Sequence, residues 1–210
     1  MAINTRLLTG WEKILLDTTV IINLFLAKKG SNDPICLFIQ KLMSYLVNNN
    51  TASGKERQFY ISTITLSELL SDETERELIM QVLSVVNSKN VELIAFDDKI
   101  GVEIANSLSH HLSRTELHRF AQEIGWKTHE LMMAREWINR DYMIAMSGKN
   151  RNIDLALTAD HKTFYPICRN IDLECAVCEE EFFNVGGINI YEYHDYKAVS
   201  KYISIPAIIS

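Results

Sequence analysis

The sequence predicts an α/β protein built on a parallel sheet, and two observations carry that prediction. Short apolar runs that fit buried strands alternate with longer stretches whose apolar residues recur at helical spacing. A carboxylate also stands just past each of three proposed strands, at Asp17, Glu68 and Asp160. Successive strands joined through helices run parallel and deliver their C-terminal ends to one edge. That edge is where α/β folds bind ligands, so the fold itself would gather the three acids.

The elements follow in order. Ile14, Leu15 and Leu16 form the first strand, and Val20, Ile21, Leu24 and Phe25 place a helix from Asp17 towards Lys28. Asp17 suits that helix as its N-cap. Lys29 to Pro34 is a turn cluster with Pro34 in the first turn of a second helix, whose apolar face is Ile35, Phe38, Ile39, Leu42, Tyr45 and Leu46. Gln58 to Ile61 reads as a strand. Thr65-Leu66-Ser67-Glu68 has capping-box spacing, which would fold Glu68 back onto its own helix. A helix striped by Leu78, Ile79, Val82, Leu83 and Val86 precedes a third strand, Val91 to Phe96. Asp97 and Asp98 then favour the positive end of the next helix.

Ser113 to Arg140 reads as one or two amphipathic helices around Leu117, Phe120, Ile124, Leu131, Met132 and Trp137. Asp141 opens a further helix. Ile153 to Thr158 is a strand closed by Asp160, and Glu174 to Val177 and Ile188 to Tyr193 are weaker strand candidates separated by Gly186-Gly187. Ser204 to Ile209 is an apolar tail that fits an edge strand or a partner contact. A helix antiparallel to the strands starts at the edge opposite the acids, so Asp141 needs a tilted or kinked approach to join them.

With 210 residues, 47% hydrophobic and 23% charged, the chain suits one domain with an elaboration. Met1 to Gly10 lacks the apolar core of a signal peptide, and no apolar run reaches membrane-spanning length. The expectation is a cytoplasmic protein whose cysteines (Cys36, Cys168, Cys175 and Cys178) are free thiols. Cys168, Cys175 and Cys178 with His161 or His194 could ligate zinc, but Cys175-Ala-Val-Cys178 is a lone pair, and small buried hydrophobes are the simpler reading. A net charge of −6 argues against coating nucleic acid by bulk electrostatics. It leaves room for a nuclease whose acids are offset by bound metal.

Gathered carboxylates repel one another and raise each other's pKa. An all-oxygen set suits Mg²⁺ or Mn²⁺, which would relieve the repulsion and activate water for phosphodiester hydrolysis.

The same residues carry a resemblance. Leu16-Asp17-Thr18-Thr19-Val20-Ile21-Ile22 resembles the opening motif of PIN domains, Leu-Asp-Thr-Asn/Ser with apolar residues after it. Ile61 to Leu69 resembles the second motif with Glu68 as its acid. Asp141-Tyr-Met-Ile144-Ala145 resembles the third, Asp-x-x-Ile-Ala, and Leu157-Thr158-Ala159-Asp160 to Phe164 resembles the fourth. The motifs keep the family's order over residues 13 to 165. The resemblance implies a three-layer α/β/α PIN-like fold with a central parallel sheet. It implies a Mg²⁺- or Mn²⁺-dependent endoribonuclease with Asp17, Glu68, Asp141 and Asp160 as catalytic metal-binding acids, supported by Thr18 and Thr158. VapC-type relatives are toxins held by an antitoxin, and many dimerise.

Two features depart from the pattern. Thr19 stands where Asn or Ser is usual, and the chain exceeds a minimal toxin. Residues 1–165 then form the nuclease domain with a helical insertion at about 113–140, and 166–210 form a C-terminal extension packed on it. The insertion would shape an RNA groove or buttress the sheet, and Arg140, Lys149 and Arg151 near it are candidate RNA-binding residues. A catalytically inactive binding module whose carboxylates are helix caps, and a structure-specific nuclease, are the alternatives.

Overall fold

A computed structural model describes residues 10–51, 53–71, 76–111, 131–178, 187–194 and 197–204. Its elements are β1 (Lys13–Leu16), α1 (Thr18–Lys28), α2 (Pro34–Asn48), β2 (Gln58–Ser62), α3 (Thr63–Ser71), α4 (Arg76–Val86), β3 (Val91–Ile94), α5 (Asp98–His111), α6 (Leu131–Asn150), β4 (Leu155–Thr158), α7 (Phe164–Asn170) and β5 (Cys175–Val177). A separate antiparallel pair follows, β6 (Gly187–His194) with β7 (Lys197–Ser204).

The first five strands form one parallel sheet in the order β3-β2-β1-β4-β5. The chain builds outward from β1 through β2 to β3, then returns to β1's other side for β4. The strand order therefore reverses between β1 and β4, which is the crevice where an open parallel sheet receives a ligand.

Strand alternation sorts side chains into two cores. Ile14, Leu16, Phe59, Ile61, Leu155 and Leu157 face α1, α2 and α4. Leu15, Tyr60, Ala156, Cys175 and Val177 face α5, α6 and α7. With both faces covered, β1 and β4 carry apolar residues on both sides of the sheet at Ile14–Leu16 and Leu155–Leu157, which is why these read as continuous apolar runs. The result is a three-layer α/β/α architecture, as the sequence predicts. The fifth strand comes from beyond residue 165, so the segment after α7 supplies part of the central sheet.

Local chemistry fixes the edges opposite the acids. Asp154 Oδ2 accepts from the backbone N–H of Glu12 and Lys13 at 3.0 and 2.9 Å, joining the starts of β4 and β1. Buried Arg57 donates to the Leu46 and Asn49 carbonyls and so closes the C-terminal end of α2.

Three sequence expectations change. The capping box at Thr65 does not form: α3 begins at Thr63, and Ser62 Oγ caps it by accepting from Ile64 N at 3.1 Å. Glu68 then lies a turn too far along to fold back. Asp141 does not open a helix either, since it sits midway along α6. Trp137, expected on an apolar face, is 55% exposed. The 113–130 part of the proposed insertion and the tail from 205 lie outside the described residues.

Gly148 explains how α6 lies so close to β1. A Cβ there would stand 2.8 Å from a Leu15 methyl carbon in the core. Gly148→Val is expected to force α6 off the sheet and cost about 1–3 kcal/mol, read as a lower urea midpoint. An unchanged midpoint would show that the helix has slack at this contact.

Candidate active site

Asp17 follows β1 directly and is 3% exposed. It caps α1 as expected: Oδ1 accepts from Thr18 N at 2.7 Å. Its other oxygen does different work. Oδ2 accepts from the hydroxyls of Thr19 at 2.6 Å and Thr158 at 2.7 Å. Because Thr158 ends β4, this carboxylate is tied across the β1/β4 crevice, where Asp17 N also donates to Leu157 O at 3.0 Å.

The threonines continue the network. Thr19 Oγ1 accepts from Ala159 N at 2.9 Å, and Thr158 Oγ1 accepts from Asp160 N at 2.8 Å. Thr18 Oγ1 donates to Glu68 Oε2 at 2.6 Å, linking the start of α1 to α3. Asp160 Oδ1 accepts from Lys162 N at 2.7 Å and Thr163 N at 3.1 Å, and its Oδ2 accepts from the Thr163 hydroxyl. Thr163 also stands near enough to Asp141 to lower its pKa, so its side chain lies between two acids.

The expectation that this helix starts opposite the acids is overturned, so Asp141 reaches the group without the tilted or kinked approach it would have needed. Helix α6 begins beyond the carboxyl edge and runs back over the sheet. Gly148 packs on Leu15, two residues before Asp17 on β1, while Asp141 lies seven residues earlier in α6. Two strand residues span about 7 Å and seven helical residues about 10 Å, so Asp141 falls level with the strand ends.

Electrostatics mark the cluster. Burial pushes the Asp17 carboxyl from 3.8 up to about 6, opposed by its threonine donors and reinforced by the charge of Asp160. Burial also holds Asp141 well above the usual carboxylate range, and the charges of Asp17, Asp160 and Glu68 add to that rise. All four acids therefore share one field. Arg140 supplies a counter-charge 3.9 Å from Glu68 Oε1, and its side chain is 51% exposed. An exposed pair at that distance offsets little.

Arg140 is thus at the mouth of the site, whereas the other two candidate RNA-binding residues are not. Lys149 lies nine residues further along α6 and donates to the Ile171 carbonyl. Arg151 follows in the turn to β4, at the opposite edge of the sheet. Sequence reasoning missed Thr163 and undervalued Thr19. The signal for both was present: each is a hydroxyl two or three residues past an acid at a strand–helix junction.

The donor set suits a hard divalent cation, being entirely oxygen and short of positive charge. In this conformation the lone pairs of Asp17 and Asp160 face hydroxyl and amide donors. Among the described residues no three acidic, histidine or cysteine side chains converge on one point as metal ligands. That holds for the cysteines too. Cys178 packs on the α1/α2 side of the sheet while Cys168 and Cys175 pack on the other, and all four cysteines are buried free thiols. The side chain of His194 lies outside the described residues. A cavity of about 620 Å³ between α1, α2 and α4 includes none of the four acids.

Comparison with known proteins adds a structural likeness only. No family model matches the chain, and no curated protein matches it. Among solved structures, VapBC2 from Rickettsia felis bound to a DNA fragment from their promoter is similar at 20% identity. The match covers 79% of this chain and 98% of that chain, with a TM-score of 0.45. Among the described residues no helix is long and apolar enough to cross a membrane.

The raised Asp17 carboxyl has a stability consequence. Between pH 3.8 and about 6 the folded chain holds a proton there that the unfolded chain has released. Stability from this group therefore falls as pH rises through that window, reaching a cost of about 3 kcal/mol above it. Asp17→Asn removes the titration, so its melting temperature relative to wild type is expected to improve steadily from pH 4 to 7. A difference independent of pH would show that Asp17 is not strained by its burial.

Proposed function

We propose that this protein is a PIN-type, Mg²⁺- or Mn²⁺-dependent endoribonuclease acting at the β1/β4 crevice. The observation that carries the reading is the convergence of Asp17 and Asp141. These are two carboxylates with raised pKa values from distant parts of the chain, sharing a field with Glu68 and Asp160. A purely structural arrangement gains nothing by placing four negative charges at one sheet edge, since the repulsion destabilises it. The sequence motifs that resemble those of PIN domains fall on these same four acids.

In this reading Asp17, Glu68, Asp141 and Asp160 hold the cation, which when bound supplies counter-charge, an activated water and stabilisation of the developing charge on phosphorus. The chain's own groups do the rest. Thr19 and Thr158 fix the Asp17 carboxylate across the crevice, and Thr18 orients Glu68. Thr163 orients Asp160 and stands beside Asp141. Arg140, exposed at the mouth, is placed to take a backbone phosphate in exchange for its long contact with Glu68. Lys149 and Arg151 drop out of the reading. An antitoxin partner and a dimer remain implications of the family resemblance.

A binding module is the second reading, because Asp17 does cap α1 and the Asp160 oxygens do satisfy their own turn. The two readings separate in one experiment. A mixed structured RNA is incubated with wild type and with Asp17→Asn in Mn²⁺ or Mg²⁺. Cleavage that EDTA and the substitution both abolish is expected. No cleavage, together with no cation-dependent rise in melting temperature, selects the binding module.

Cation binding must displace protons from Asp17 and Asp141. The Mn²⁺-dependent rise in melting temperature is therefore expected at pH 7.5 and lost at pH 5, below the value of about 6 for Asp17. An equal rise at both pH values would place the cation elsewhere.

A further inference from the structure

We propose that Lys162 and Arg140 bracket the acid cluster as two phosphate contacts, so that the RNA strand lies along the sheet edge from the β2 side to the β4 side. The proposal rests on the ribonuclease reading above and adds to it Lys162 and the path of the substrate. Lysines stand exposed as a rule, so exposure alone says nothing of function. The placement of this one does. Other described cations stand away from the acids: Lys13 starts β1 and Arg57 precedes β2, both at the opposite edge, and Lys149 donates to the Ile171 carbonyl. Lys99, past β3, directly follows Asp97 and Asp98 in the chain.

Lys162 sits in the turn between β4 and α7, two residues past Asp160. Its backbone N–H donates to Asp160 Oδ1 at 2.7 Å, and the buried Thr163 beside it donates its hydroxyl to Asp160 Oδ2. One of the four acids therefore fixes where the lysine's stem begins, while the residue itself is exposed. Along the carboxyl edge the acids form a row, from Glu68 after β2 through Asp17 after β1 to Asp160 after β4. Arg140 meets the row at its Glu68 end, 3.9 Å from Oε1. Lys162 stands at the other end. Strands β2 and β4 are two strand spacings apart, about 10 Å, so the two cations flank the row from opposite sides. An extended strand laid along the row puts one phosphate at the acids and its neighbours at Arg140 and Lys162. A lysine suits the outer place, being a point charge on a flexible stem that needs no fixed geometry. The net charge of −6 gives these two contacts weight, because the chain offers a polyanion no bulk attraction.

The test follows cleavage of an unpaired RNA of about 12 nucleotides at saturating Mn²⁺, between about 50 and 200 mM KCl. Lys162→Ala is expected to raise KM about fivefold at the low-salt end. It should also flatten the slope of log KM against log[KCl] by about 0.7, the share of one single-strand phosphate contact. Lys162→Arg should restore both, since it keeps the charge. A lysine that only supports the turn would leave the slope unchanged and lower the melting temperature. A neutral methylphosphonate on one side of the mapped cut should raise KM for wild type and Arg140→Ala but not for Lys162→Ala. On the other side it should raise KM for wild type and Lys162→Ala but not for Arg140→Ala. An unchanged slope in Lys162→Ala overturns the proposal, as does a response of both residues to the same phosphate, and wild-type cleavage in either case keeps the ribonuclease reading. If wild type does not cleave, the same slope is read from the dissociation constant of the strand. Binding whose slope Lys162→Ala flattens keeps the contact without the ribonuclease, and absent binding or an unchanged slope removes it.

Discussion

The constraint on which the rest depends is the concentration of four carboxylates on one sheet edge, with the exposed Arg140 at 3.9 Å from Glu68 as a weak counter-charge. The topology imposes it. Residues 17, 68, 141 and 160 come together because β1, β2 and β4 are parallel and because α6 lies across their ends. The order β3-β2-β1-β4-β5 then opens the crevice at the junction where Asp17 and Asp160 emerge. Every other feature of the site answers the same charge problem. Threonines at 18, 19, 158 and 163 each hydrogen-bond one of the four acids.

Those threonines explain how a strained cluster stays folded. A hydroxyl can donate to a carboxylate while accepting from a backbone amide, so it ties a charge to the main chain without adding charge. Thr158 does this between Asp17 and Asp160 N, and Thr19 does it between Asp17 and Ala159 N. Both hydroxyls bridge the two strands at the switch point. Asn or Ser at position 19 would also bond the acid. Threonine's branched Cβ adds stiffness at χ1, which suits a residue whose oxygen must serve two partners. Thr19 thus keeps a hydroxyl on the acid at this position.

The fold was legible because its signals are local and repeated. Continuous apolar runs at Ile14–Leu16 and Leu155–Leu157 specify strands buried on both faces, and Pro34 and Asp97 mark helix starts. The site was legible where an acid directly follows a strand, as Asp17 does. It was less so at Glu68, whose capping-box spacing is genuine. Ser62 reaches the first free amide before Thr65 can, and that competition depends on where β2 stops. Asp141 was the hardest, because its place rests on the register of a helix against a sheet. The determinant is Gly148, seven residues away, which sets how closely and at what height α6 rests on Leu15. Periodicity cannot reveal that register. The same limit hid the exposure of Trp137, since a stripe of apolar residues does not say where the sheet beneath it ends.

The two raised acids differ in what can relieve them. Asp17 stands at the start of α1, where unpaired amides and the positive end of the helix dipole favour a negative charge. It also receives two hydroxyls, and these donors hold down a rise that burial would otherwise make larger. Asp141 sits in mid-helix, where the backbone amides are committed to the turn before and the dipole offers nothing. Thr163 lies near it and lowers its pKa, but the single hydroxyl hydrogen of that residue goes to Asp160. A carboxylate so placed depends on a charge from outside the chain, or on a proton, to a degree that Asp17 does not. Of the two raised acids, Asp141 is therefore the one whose burial the chain's own groups offset least.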